Sequence, residues 1–198
     1  MGRSMTSTPL ICTYSRAKCA VFLKTKEQWG ELSNMAGGMP LSVAGIAIKT
    51  SEALYQACRF PDVPDLQAKI IAEKSPMSAK MVGKPHRSDT RADWSAVHID
   101  VMRWCLRVKA RQNWAKFTSV ILATGTSDIV EETSKRDVYW GAKSTKEDPD
   151  ILVGENVLGH LLMDLRREIV SGSRTATTIV TALPIPKFLL CGIVIPSI

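Results

Sequence analysis

The chain has 198 residues, 45% of them hydrophobic, with a mean hydropathy of zero, which describes one globular domain with a good core and no room for a second. No stretch suits a bilayer: the most apolar run, FLLCGIVI (188–195), is too short to span one, and the basic start MGRSMTSTPLICTYSR lacks the continuous apolar core of a signal peptide. The net charge of +7 sits in one segment, since Lys69 to Lys116 holds eleven Lys or Arg against four Asp or Glu and elsewhere fifteen of each cancel. A field so placed favours phosphates, in a small molecule or in nucleic acid, and a solvated helix face explains the same excess.

In chain order, residues 1–18 read as an unstructured lead-in. CAVFLKT (19–25) has the β-branched and aromatic character of a short strand. MPLSVAGIAIKT (39–50) predicts two short strands around Ala44-Gly45. A helix follows from Ser51, capped by Thr50 or Ser51 and stopped by Pro61 and Pro64. DLQAKIIAEK (65–74) reads as a second helix with Asp65 as its cap. SPMSAKMVGK (75–84) reads as a third, with Ser75 capping, Pro76 in the first turn and Gly83 closing it. From about Arg91 to Asn113, Val97, Val101, Trp104, Cys105 and Val108 fall at helical spacing, with Lys109 at the edge of that apolar face and Arg103, Arg107 and Arg111 on another. WAKFTSVILATG (114–125) is a further helix, DIVEET (128–133) and DVYWG (137–141) are extended, and 144–150 is a polar loop. Residues 156–170 form the last helix, and the tail 171–198 is expected to be loosely ordered or to pack on a partner.

Five cysteines without a CxxC pair predict reduced thiols in a cytoplasmic protein. The three histidines, His86, His98 and His160, are scattered and read as surface or core-edge residues, so no metal site is expected. Glycine-rich phosphate loops and hydrolase motifs are absent. What remains is carboxylates, lysines and five tryptophans. Asp137, Tyr139 and Trp140 put a carboxylate, a phenol and an indole into one short turn, a mix suited to stacking a flat heterocycle and moving a proton beside it. A structural aspartate with two core aromatics fits the same spacing. Glu52 has the same double reading, because helix dipoles favour acids in the first turn.

The ordered blocks WGELSNM (29–35), KTSEALYQACRF (49–60), SPMSAKMVGK (75–84), DWSAVHIDVMRWCLRVKARQN (93–113), ILATGTSDIVEET (121–133), DVYWG (137–141) and GENVLGHLLMDLRRE (154–168) resemble the YbiA-like, or NADAR, family of riboflavin-intermediate N-glycosidases. The resemblance covers roughly residues 20–170. It implies a single compact α+β domain, mainly helical with a few short strands, spanning 19–170. It also implies hydrolysis of an N-glycosidic bond to a phosphorylated ribose, either in a riboflavin-pathway intermediate or in ADP-ribose on guanine of DNA or RNA. Neither cofactor nor metal is implied, and no membrane.

Residue by residue, Glu52 stands where the family has the glutamate of TSExxYQxxxF, with Tyr55 and Gln56 in the same motif. Asp137, Tyr139 and Trp140 stand in its DxYWG. Lys109 matches the lysine of its long helix and Trp94 the tryptophan opening that helix. Ser33 and Asn34 match its SN, and Asn156 and Gly159 its KNxLG. Met35 replaces a phenylalanine, Glu155 a lysine, and AKSTKEDPDILV (142–153) a glycine-rich stretch. The resemblance thus implies Glu52, Asp137 and Lys109 as catalytic residues. Glu52 and Asp137 would stabilise the oxocarbenium ion, protonate the leaving base and direct water. Lys109 would bind phosphate or ribose, or attack C1′ as a Schiff-base amine. Ser33, Asn34, Tyr55, Gln56, Trp94, Tyr139, Trp140, Asn156 and Gly159 would contact substrate. The alternative is a non-catalytic module that binds ADP-ribose or nucleic acid.

Overall fold

The computed structural model describes residues 11–134 and 138–198. Strands β1 (Cys12–Ser15), β2 (Cys19–Phe22), β3 (Leu41–Val43) and β4 (Ile46–Ile48) come first, and five helices follow: α1 (Ser51–Ala57), α2 (Pro64–Ala72), α3 (Pro76–Gly83), α4 (Trp94–Gln112) and α5 (Trp114–Ala123). The second half holds β5 (Asp128–Glu131), β6 (Lys143–Ser144), β7 (Ile151–Gly154), helix α6 (Val157–Val170), and a terminal hairpin of β8 (Leu189–Leu190) and β9 (Ile193–Val194). This is an α+β fold with most of its regular secondary structure in helices.

Each helix begins where local chemistry allows. The Thr50 hydroxyl accepts from the Ala53 amide, and the Ser75 hydroxyl from the Ser78 amide, filling donors that a first turn leaves unpaired. α2 starts one residue before the expected Asp65 cap: Pro64 takes the first helical position, and the cap is Val63, whose side chain has no acceptor for a first-turn amide.

α4 is the central beam. Val101, Trp104, Cys105 and Val108 are buried along it, and with Leu54, Phe60, Ile70, Phe117 and Leu162 they form one core. β2 pairs in parallel with β5, from Cys19 opposite Asp128 to Phe22 opposite Glu131. β7 lies between β1 and β6, antiparallel to both, over a small second cluster of Tyr14, Val130, Ala142 and Leu152.

Two expectations about the ends of the chain are corrected. Residues 12–18 are not an unstructured lead-in: β1 pairs with β7 from Cys12 opposite Gly154 to Ser15 opposite Ile151, and Arg16 to Lys18 form a 3-10 turn. Residues 1–10 lie outside the described residues. The tail 171–198 lies on its own domain. Val180, Phe188, Leu190 and Ile195 are buried in the main core, and Phe188 meets Trp104 edge-on at 5.0 Å. Gln67 donates to the Leu189 carbonyl at 3.0 Å and accepts from the Cys191 amide at 2.6 Å, so a buried polar side chain on α2 fastens the hairpin.

Candidate active site

A cavity of about 550 Å³ opens between α1, α4 and the segments that flank β5 and β6. α1 contributes Glu52, Tyr55, Gln56 and Arg59, positions i, i+3, i+4 and i+7, which one helical face collects, with Arg59 just past the helix end. α4 contributes Trp94, His98 and Met102, each one turn beyond the last.

Glu52 is 4% exposed and forms the floor. Its Oε1 accepts from Gln56 Nε2 at 2.9 Å, and its Oε2 accepts a short hydrogen bond from Asn34 Nδ2. Both partners are neutral amides, and among the described residues no Lys or Arg pairs with it. Neutral donors fix the carboxylate in place while leaving its negative charge uncancelled, so it can oppose positive charge arising in the cavity. The loop carrying Asn34 is clamped as well: its carbonyl accepts from the Glu52 amide at 2.9 Å and the Ser51 hydroxyl at 3.0 Å.

Lys109 lies beneath that loop, 1% exposed, and not on the cavity wall. The expected place at the edge of the core is thus corrected to full burial, because residues 30–34 cover it. Its Nζ donates to the Glu31 carbonyl at 2.6 Å and the Ser33 carbonyl at 2.8 Å, and sits 5.4 Å from the Phe117 ring centroid. Burial lowers its pKa to about 7, with the charge of Glu31 acting in the opposite sense.

The walls are aromatic. Tyr55 lies 5.1 Å from Trp94 and 5.8 Å from Trp140, and Trp140 meets both Tyr139 and His98 nearly at right angles. Tyr139 and Trp140 are held by their backbone: the carbonyls of Tyr139 and Trp140 accept from the Val157 and Leu158 amides at 3.0 Å each. The first amides of α6, which have no partner within the helix, thereby fix the aromatic turn. The mouth carries Arg59 and Lys80. Arg59 also packs over Trp94, and Arg87 lies near enough for its charge to act on it.

Of the residues singled out in the sequence, the structure brings Asn34, Glu52, Tyr55, Gln56, Trp94, Tyr139 and Trp140 to this cavity. Ser33, Lys109, Asn156 and Gly159 are not on its wall. Asn156 is fully buried and stitches α6 to β5: its Nδ2 donates to the Ile129 carbonyl and its Oδ1 accepts from the Glu131 amide. Gly159 lets α6 approach that strand, since a Cβ there would come within 2.1 Å of the Ile129 carbonyl oxygen. Asp137 lies outside the described residues.

His98, Arg59 and Met102 are cavity residues that were not singled out. Their helical spacing from Trp94 and Glu52 was the available signal. Of the other carboxylates here, Glu132 is held by Arg16 at 2.8 Å and by the Ser144 hydroxyl, and the Arg16 hydrogen bond pulls its pKa down. Among the described residues no cluster of His, Cys, Asp or Glu fits a metal ion.

Fold and cavity define a small α+β domain whose aromatic cleft ends on a buried, anchored carboxylate. Residues 21–170 match the NADAR domain, and the chain belongs to the NADAR family. It is 36% identical over 148 residues to N-glycosidase YbiA of Escherichia coli, covering 75% of this chain and 86% of that one. It is 31% identical over 155 residues to N-glycosidase Npun_R5314 of Nostoc punctiforme, covering 75% of this chain and 90% of that one. The NMR structure of E. coli YbiA superposes with a TM-score of 0.63 at 34% identity, over 77% of this chain and 85% of that structure.

Proposed function

We propose that the chain is an N-glycosidase, hydrolysing the bond between a phosphorylated ribose and a heterocyclic base or amine. One observation carries this reading: Glu52 is buried at the end of an aromatic cleft and, among the described residues, anchored by neutral amides alone. A carboxylate so placed stabilises the positive charge that grows at C1′ as the C1′–N bond lengthens, and directs water to the face the base leaves. Trp94, Tyr139 and Trp140 stack the heterocycle, and Asp137, two residues before Tyr139 in the sequence, is the second candidate acid. Arg59 and Lys80 at the mouth receive phosphate.

The cations near the mouth extend past the cavity to Lys84 and Arg87, which favours a substrate with more than one phosphate, such as ADP-ribose on guanine of DNA or RNA, over a monophosphate metabolite. Ser33 and Lys109 support the Asn34 loop and act on the site through it. The covalent route requires Lys109 to leave its two carbonyl acceptors, and borohydride trapping tests this: an adduct on Lys109 during turnover overturns its assignment as a support.

The test of the reading is incubation with a phosphoribosylated aminopyrimidine and with DNA ADP-ribosylated on guanine, comparing wild type with Glu52→Gln. Wild type releases free base or amine and the variant does not. If both proteins are inert, the chain is a binding module.

A further inference from the structure

We propose that His98 is the proton donor to the departing heterocycle. This rests on the N-glycosidase reading and adds a catalytic residue to it.

The placement follows from the α4 stripe. Met102 marks the depth of the carboxylate, because its sulfur accepts from the same Asn34 Nδ2 that holds Glu52, at 3.8 Å. His98 is four residues earlier, about 6 Å nearer the mouth along the helix axis. That offset is the step from a sugar over Glu52 to the base attached to it. At that level the imidazole is ringed by the proposed stacking walls: Tyr139 at 5.6 Å, Trp140 at 5.7 Å and Trp94 at 6.2 Å between centroids. The Tyr139 hydroxyl lies 3.4 Å from Nε2 and fixes the ring's orientation.

Four other proton carriers on the described wall suit the task less. Lys80 and Arg59 stand at the mouth, and a guanidinium does not give up its proton. Burial and the Glu52 charge push the Tyr55 phenol far above its ordinary value. Glu132 is committed to Arg16. An imidazole exchanges a proton near neutrality, as general acid catalysis requires.

In the step, the C1′–N bond breaks with its electron pair going to the base nitrogen, and the imidazolium N–H passes its proton to the base. Water adds to C1′ and loses a proton to Glu52, which returns it to solvent, and neutral His98 is recharged from solvent. Overall, one water is consumed and a free base and a ribose hydroxyl are formed.

Burial lowers the His98 pKa, and the charge of Asp100 opposes this. Tyr55, Arg59 and Glu52 from the α1 segment, Lys80 from α3, Glu131 and Glu132 at the end of β5, and Tyr139 face the same cavity. The acid form is therefore lost as pH rises through a value below the ordinary histidine range, and kcat falls with it.

The experiment compares wild type, His98→Gln, His98→Ala and Asp137→Asn on a 5′-phosphoribosylaminopyrimidine, whose amine needs a proton to leave, and on nicotinamide mononucleotide, whose pyridinium leaves as a neutral base without one. Expected on the aminopyrimidine is a kcat loss of roughly 10²- to 10³-fold for His98→Gln with KM little changed. The alkaline limb of kcat should vanish in that variant, and added imidazole should restore part of the His98→Ala rate. Any turnover of nicotinamide mononucleotide should be nearly unaffected. If only Asp137→Asn removes the alkaline limb, or if His98→Gln matches wild type, the inference is overturned while the N-glycosidase reading stands. If wild type cleaves neither these substrates nor DNA ADP-ribosylated on guanine, both fall together.

Discussion

The two sides of α4 use charge in opposite ways. On the side away from the cavity, Arg103 pairs with Asp100, Arg107 with Glu168, and Arg111 donates to the Thr178 carbonyl at 2.8 Å. Glu168 also receives Arg174, and both arginines pull its carboxyl below the usual range against the effect of burial. Arg107 thus ties α4 to α6, and Arg111 fastens the tail to the helix. On the cavity side, Glu52 has only amide partners, and Lys80, Lys84 and Arg87 form no ion pair among the described residues. The lesson concerns the surplus of basic residues between Lys69 and Lys116: a charge count does not separate a structural stripe from a receptive mouth. The partners do.

The sharpest way to break this contrast is Glu52→Gln. It keeps the shape of the side chain and removes the charge, so activity should fall by roughly 10³-fold. Thermal stability should hold within a few degrees. A variant that unfolds instead would make Glu52 a structural acid like those opposite, and circular dichroism melts separate the two outcomes.

Lys109→Met should show next in stability. It leaves the Glu31 and Ser33 carbonyls without their donor, at about 1–3 kcal/mol for each buried group. Folding lowers the Lys109 pKa, so between about pH 7 and the ordinary lysine range the unfolded chain holds the extra proton. Wild-type stability should therefore rise with pH through that window, and the variant should lose this rise. Urea titrations from pH 6.5 to 9.5 read it directly. A pH slope unchanged in the variant refutes the assignment.

Arg59→Gln should raise KM for a phosphorylated substrate by roughly tenfold and weaken its salt dependence, in keeping with loss of one phosphate contact. Arg103→Gln, on the far side, should leave KM alone and change stability by about 0–1 kcal/mol, because the pair it breaks is exposed. A KM effect at Arg103 comparable to that at Arg59 would erase the distinction between the two sides.

Much of this was legible in the sequence where the causes are local. The β3–β4 hairpin follows from Ala44 and Gly45, both at positive φ, and the start of α1 from the Thr50 cap. Glu52, Tyr55, Trp94, Tyr139 and Trp140 were found through the family blocks. What escaped depends on distant partners. β1 exists because β7 supplies its hydrogen bonds. Lys109 is buried because a loop far away in sequence closes over it. His98 and Met102 sit at helical spacing from Trp94, yet spacing alone does not say that this face lines a cleft.

The tail has a practical consequence for anyone trimming or tagging the protein. The family match ends at residue 170, but Phe188 and Leu190 lie in the main core and Arg91 donates to the Pro186 carbonyl at 2.7 Å. Val180 and Ile198 also exchange backbone hydrogen bonds in both directions. A fragment cut at the family boundary would uncover Trp104 and take one acceptor from the buried Arg91 guanidinium, so residues 171–198 belong in any expressed fragment.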